Sequence, residues 1–167
     1  FLFVIISFKE FLSIFSPSTK MVLIKDNHIP VIRVNKFIFC FNSTVIIRAE
    51  KGIKELIVQI DSEVLIPALL GSIGLADVMN ITYPEKSYDS SNPSRVIDAE
   101  VLKSALSKDF GFKICDEVIN KTEVLFSITT FMGALNAEAG NHDFIFTVID
   151  NDGVSKTEIL KLRSTGN

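Results

Sequence analysis

The sequence predicts a mainly β chain, an antiparallel β-sandwich carrying a short helical insertion. Runs of β-branched and aromatic residues with period-two alternation occupy Thr44–Ile60 and Glu123–Leu162, the two ends of the regular part of the chain. Between them the apolar period lengthens to that of amphipathic helices. Glycine-bearing polar turns, Glu50-Lys51-Gly52 and Asp150-Asn151-Asp152-Gly153, punctuate the strands. Strands at both ends with helices between them fit two packed sheets with an insertion. A nucleotide-binding α/β layout would need regular strand–helix alternation and a glycine-rich first turn, and the sequence has neither.

Thr44–Ala49 sets Val45, Ile47 and Ala49 on one face and Arg48 on the other. Ile53–Ile60 follows the glycine turn, with Leu56, Val58 and Ile60 facing one way and Glu55 and Gln59 the other. The pair reads as a hairpin or as a corner between sheets. Ser62 is placed to cap a helix reaching about Ile73, with Pro67 in its first turn and Leu65, Leu69, Leu70 and Ile73 as its apolar stripe. Tyr83–Arg95, rich in Ser, Pro, Asp and Asn, reads as an exposed loop. Asp98 caps a second helix, Ala99–Lys108, whose apolar face is Val101, Leu102, Ala105 and Leu106, and Gly111 stands where it should stop.

The last third returns to strands. Glu123–Ile128 turns Val124, Phe126 and Ile128 inward, and Thr129 or Thr130 caps a single turn pairing Phe131 with Leu135. A break at Gly140-Asn141 leads into His142–Ile149. The Asp150–Gly153 turn, whose residue types tolerate positive φ, then returns the chain as Val154–Leu162.

The organisation expected is an apolar segment, residues 1–43, followed by the sandwich, residues 44–163. The first segment fits a truncated signal core, an upstream fragment or an extra strand. Its opening run is interrupted by Lys9 and Glu10, far short of the roughly 18 apolar residues of a spanning helix. Val31–Phe41, with Phe37, Phe39 and Phe41 alternating with Ile38 and Cys40, fits a strand apolar on both faces.

Composition narrows the function. Of 167 residues 47% are hydrophobic, and the net charge of -3 without basic blocks leaves no electrostatic footprint for nucleic acid and no basic helix for a membrane surface. The 14 Phe, set against 2 Tyr and no Trp, fit core filling better than an aromatic platform. Cys40 and Cys115 form no C-x-x-C pair and read as buried free thiols.

Three segments resemble a family. Glu50-Lys51-Gly52-Ile53-Lys54-Glu55-Leu56-Ile57-Val58-Gln59-Ile60 is similar to the KGIK-x-L-x-V-x-I opening of Ig-like modules in Bacteroidetes-type surface proteins. Asn120–Thr129 (NKTEVLFSIT) resembles their GKT-x-V-x-F-x-I-T segment, with Asn120 where a glycine is usual. His142-Asp143-Phe144 with Thr147–Gly153 resembles their ending, also found in PKD-like domains. The resemblance runs from Thr44 to Leu162 and leaves residues 1–43 uncovered. It implies an Ig-like fold in an exported protein of the cell surface or periplasm, such as a lipoprotein, adhesin or glycan-handling component, and names no ligand.

Few constellations in the sequence carry chemistry. The two histidines, His28 and His142, are joined by no G-x-S-x-G motif, P-loop or zinc spacing, and His142 is expected to be structural. Asp150 and Asp152 offer a calcium turn if a second acidic segment (Asp116-Glu117, or Asp143) converges on them, since Ca²⁺ takes six to eight oxygens. A carboxylate pair for glycoside hydrolysis is a rival reading set by spatial separation alone. Asn42, Asn80 and Asn120 open N-x-Thr/Ser sequons. The 83–95 loop holds both tyrosines, and Tyr83, Tyr88, Asp89, Asn92 and Arg95 form the candidate ligand-contact set. The expected function is therefore non-catalytic: a binding or spacer module meeting an extracellular glycan or surface protein, without cofactor or nucleic acid. An adhesin-like assembly subunit pairing through an edge strand is the alternative.

Overall fold

Alternation in sequence becomes two sheets in space. In the computed structural model, which describes residues 2–8, 31–34, 43–110, 118–135 and 137–165, strand outweighs helix, 44% against 21%. One sheet has three strands in the order β1-β3-β6: β1 (Leu2–Phe8), β3 (Ser43–Ala49) and β6 (Glu123–Ser127), all antiparallel. The other has five in the order β2-β8-β7-β4-β5: β2 (Val31–Val34), β8 (Ser155–Thr165), β7 (Ala139–Asp150), β4 (Ile53–Ser62) and β5 (Val78–Asn80). Every pairing is antiparallel except β2 with β8. Two strands that precede residue 44 are thus hydrogen-bonded into the sheets, one in each.

A single core joins the two layers. Val45, Ile47 and Ala49 of β3 and Phe126 of β6 are buried together with Leu56, Val58 and Ile60 of β4, Phe144, Phe146 and Val148 of β7, and Leu160 and Leu162 of β8. Phe126 meets Phe146 edge-on, with ring centroids 5.5 Å apart and planes at 74°. Arg48 turns outward and pairs with Glu123 of the neighbouring strand at 2.5 Å.

The glycine turn at residue 52 is the sheet-to-sheet corner, because β3 and β4 lie in different layers. Gly52 has φ +83° and donates its N–H to Ala49 O. Asn120, where the resembled family has glycine, has φ +63°, a conformation asparagine tolerates better than most residues. The two turns interlock: Ile53 N donates to Lys121 O, Asn120 N donates to Ile53 O, and Asn151 Nδ2 donates to Lys51 O and Asn120 Oδ1. A Cβ on Gly52 would lie 2.8 Å from Asn151 Nδ2 and 3.0 Å from Asn120 O, whereas Gly153, at φ +80°, faces open space. Gly153→Ala is therefore expected to lower stability by about 1 kcal/mol through φ alone, and Gly52→Ala by about 2 kcal/mol or more through φ and collision together. Equal losses in urea unfolding would show that the corner yields without cost.

The helical insertion differs from expectation at its start. Ser62 ends β4, and its Oγ accepts from Leu65 N at 2.8 Å and Val64 N at 3.2 Å, a serine turn instead of a helix cap. Helix α1 covers only Pro67–Ser72, with Pro67 in its first turn and no side-chain cap. Leu65, before the helix, and Leu70, within it, are buried, while Leu69 within it and Ile73 just past it face outward, so the predicted stripe does not form one buried face. Helix α2 (Ala99–Phe110) begins as expected: Asp98 Oδ1 accepts from Glu100 N and Val101 N. Leu102 and Leu106 are fully buried and Ala105 packs on the core, but Val101 is exposed. Helix α3 (Thr129–Leu135) inserts Phe131 and Leu135, Phe131 lying 5.4 Å from the Phe144 ring.

No break occurs at Gly140-Asn141. Strand β7 runs through both, paired with Ser164 and Arg163, because the longer β8 supplies partners there. In the final hairpin the three-residue loop Asn151–Gly153 is closed by Asp150 N donating to Val154 O, and only Gly153 adopts positive φ. Phe37, Phe39, Phe41, Cys40, Cys115, Gly111 and His28 lie outside the described residues.

Candidate functional site

β5 is a three-residue edge strand, and the chain that follows it folds back over that edge. Tyr88 N donates to Val78 O and Val78 N to Tyr88 O, a one-residue bridge. Short polar side chains complete the rest. Thr82 Oγ1 accepts from Leu56 N at 2.7 Å, Ser87 Oγ accepts from Asn80 N, and Asn80 Oδ1 accepts from Thr82 N and Tyr83 N. The Asn80 amide donates to Glu55 Oε1 at 2.6 Å. Asn80 is thus sealed into the edge, and its sequon is inaccessible in the folded chain.

The 83–95 segment, expected to be a plain exposed loop, is instead a folded one with a buried polar interior. Pro84, Ser87 and Asp89 are buried, and Pro84–Lys86 form a 3₁₀ turn. Asp77 receives the backbone N–H and hydroxyl of Ser90. Asp89 accepts from Ser91 N, Ser91 Oγ and Asn92 N, and Arg95 Nη1 reaches it at 3.4 Å. The Ser91 hydroxyl, then the Ser91 and Asn92 amides and Arg95, hold the Asp89 carboxyl below its ordinary range against the opposing effect of burial. Asp89 therefore organises the segment, its Oδ1 taking three hydrogen bonds from Ser91 and Asn92 and its Oδ2 facing Arg95.

The other candidates divide. Tyr83 is half-buried, with Lys86 Nζ 4.2 Å from its ring centroid, so a cation already covers one face. Tyr88 is exposed, as is the Asn92 side chain. Arg95 lies across α1, where the absent side chain of Gly71 makes room for the guanidinium. Beside it a cleft of about 160 Å³ opens between Gly71, Gly74, Leu75, Val96 and Val101. Among the described residues eight large apolar side chains are exposed. Six of these lie in or beside α1, this segment and α2: Ile66 and Ile73 flank α1, Leu69 is within it, Tyr88 is in the segment, Val96 follows it at 91% exposed, and Val101 is in the first turn of α2. The sequence pointed to Tyr88 and Arg95 but missed Ile73, Val96 and Val101. Ile73 and Val101 were assigned to helix stripes, and no periodicity distinguishes an exposed apolar residue from a buried one at a helix end.

The calcium expectation finds its two residues differently employed. Asp150 is buried, and its Oδ1 accepts from Val154 N at 2.8 Å, while Asp152 is exposed at the loop tip. Asp143 lies seven residues back along β7, roughly 23 Å away at strand rise, and pairs with Lys161 at 3.5 Å. It does not converge on the turn. Asp116 and Glu117 are outside the described residues, and no cluster of three potential ligands exists among those described.

His142 belongs to a buried chain of hydrogen bonds. Its Nδ1 is 2.8 Å from Ser62 Oγ and its Nε2 is 2.9 Å from Ser164 Oγ, which donates to Glu138 O at 2.6 Å. Burial pushes the imidazole below its ordinary range, and Glu63 and Asp143 draw it partly back. Ser62 also receives two backbone N–H groups, so the Ser62–His142 pair ties the turn after β4 to the neighbouring strand β7. No family model, curated protein or solved structure matches this chain.

Proposed function

We propose that the chain is a non-catalytic binding module of an exported surface protein, an Ig-like β-sandwich whose contact face is α1, residues 88–98 and the first turn of α2. The observation that carries this reading is the concentration of exposed apolar side chains in and beside α1, residues 88–98 and the start of α2, of which Val96 and Val101 line one cleft together with Arg95. Patches of this kind on an otherwise polar surface are typical of recognition sites. The rigidity of the supporting segment favours it too, since a pre-ordered face loses little entropy on binding. The partner is an extracellular glycan or a surface protein, and the apolar rim around Arg95 suits the second better than a sugar alone.

The test is binding of the full chain to panels of polysaccharides and surface proteins, with and without calcium. Saturable binding is expected, independent of calcium. It should weaken at least tenfold in Tyr88→Ala and in Arg95→Ala, because aromatic and arginine anchors commonly contribute more than about 1.4 kcal/mol, while the melting temperatures stay close to the parent. Binding indifferent to both substitutions moves the site elsewhere, and a folded chain that binds nothing removes the reading. A second reading, assembly through an edge strand, draws on β6, which lies at the edge of its sheet with Leu125 58% exposed. Sedimentation of the same samples separates the two, since only assembly makes the mass rise with concentration.

A further inference from the structure

Ser62, His142 and Ser164 occupy inward-facing positions on three adjacent strands, β4, β7 and β8, at the end of the core where apolar residues give way to polar ones. Donors and acceptors along this chain have one consistent assignment. The Ser164 hydroxyl donates to Glu138 O, so it can only accept from His142 Nε2, which must carry the proton. In the neutral ring Nδ1 is then an acceptor, and the Ser62 hydroxyl donates to it. Ser62 Oγ in turn accepts from Leu65 N and Val64 N, the bonds that set the turn into α1. Every polar atom is satisfied, and only by neutral His142.

We infer that this chain is an acid-sensitive joint: protonation of His142 at Nδ1 weakens the Ser62 turn and loosens the entry to α1. Once solvent supplies a proton to Nδ1, both ring nitrogens are donors. Ser62 Oγ must then accept from Nδ1 as well as from two backbone amides, and its own hydrogen loses its partner. The two N–H groups at Val64 and Leu65 compete with an imidazolium for one oxygen. Glu63 stays tied to Asn141, through Asn141 N at 3.2 Å and Asn141 Nδ2 at 3.0 Å, so the loosening begins after it. The charged groups around the joint are Glu63 in the turn, Asp61 on β4, Asp143 on β7, and Lys161 and Arg163 on β8, with Arg33 of β2 at the register position of Arg163. Glu63 and Asp143 favour the imidazolium, but they do so from exposed and half-exposed positions where solvent screens them, and burial outweighs them.

The sign of the effect follows from burial. The folded state holds His142 neutral below the ordinary histidine range, whereas an opened state titrates near 6.5. Opening therefore binds a proton, and it becomes easier as pH falls below about 6.5 by up to tenfold per pH unit. Glu63 is held below its ordinary carboxylate range, chiefly by the Asn141 amide, and remains ionised throughout that window. Because α1 carries Gly71 beneath Arg95, acid would also loosen one wall of the cleft. That consequence alone rests on the proposed binding face.

The experiment is amide hydrogen exchange at Val64 and Leu65 of the full chain between pH 7.5 and 5.5, corrected for intrinsic rates, with nitrogen NMR of the His142 ring. The expected results are an Nε2–H ring at pH 7.5 and corrected exchange that rises several-fold to tenfold by pH 5.5. The rise should be lost in His142→Gln, and Ser62→Ala should exchange fast at both pH values. Flat exchange in the parent, a rise that persists in His142→Gln, or an Nδ1–H ring at neutral pH would each overturn the joint. Should His142→Gln not fold, the ring tautomer and the parent's exchange still decide. Neither readout needs a ligand, so failure of the binding reading leaves this result standing, and the reverse also holds.

Discussion

Phe126→Ala is expected to lower the stability of the chain by about 4 kcal/mol, enough to remove much of what holds a domain of this size together. Phe126 has no solvent exposure, comes from the three-stranded sheet and sets its ring edge against Phe146 of the five-stranded sheet. Truncation leaves a cavity in the plane where the two layers meet, and neighbouring strands tied into ladders on both sides cannot collapse to fill it. Phe126→Leu, which keeps most of the volume, should cost under about 1.5 kcal/mol. In a double-mutant cycle with Phe146→Ala the coupling should be about 1 kcal/mol, the excess an edge-on aromatic pair adds to simple burial. The measurement is equilibrium unfolding in urea. A coupling near zero would mean that the sheets do not meet at this pair.

Leu106→Ala carries the second large expectation, a loss of about 3 kcal/mol with an unchanged urea m-value. Leu106 and Leu102 are fully buried, and α2 lies against the same continuous core as the strands. The helix then unfolds together with the two sheets, and one transition is seen by fluorescence and circular dichroism alike. A loss below about 1 kcal/mol, or an early separate transition, would make the insertion an appendage and would weaken the argument that it offers a rigid contact face. Val101→Ser, one turn away and half exposed, should change stability by less than about 0.5 kcal/mol.

The candidate site was legible only in part. Tyr88 and Arg95 stood out because a polar segment with tyrosines invites a contact role, and both face solvent. Asp89 looked equally available in the sequence, yet the Ser91 hydroxyl and two backbone amides bind its carboxylate. An aspartate two or three residues before serine and asparagine suits an Asx turn as well as it suits a ligand. Asp150 went the same way, its carboxylate closing the hairpin onto Val154 N.

By itself the sequence determined the strands β3, β4, β6, β7 and β8 and the inward set Val45, Ile47, Ala49, Leu56, Val58, Ile60, Phe126 and Ile128. Side-chain alternation is a local property, and each strand displays it within its own residues. The Asp98 cap and the Gly153 loop were equally local. Tertiary structure alone decided the rest. It made the Gly52 turn a corner between layers, because a turn does not record which sheet its second strand will join. It stopped α1 at six residues, carried β7 through Gly140 and enclosed His142 between two serines drawn from strands 80 residues upstream and 22 downstream. Each of these depends on partners distant in the chain, and local pattern carries no information about distant partners.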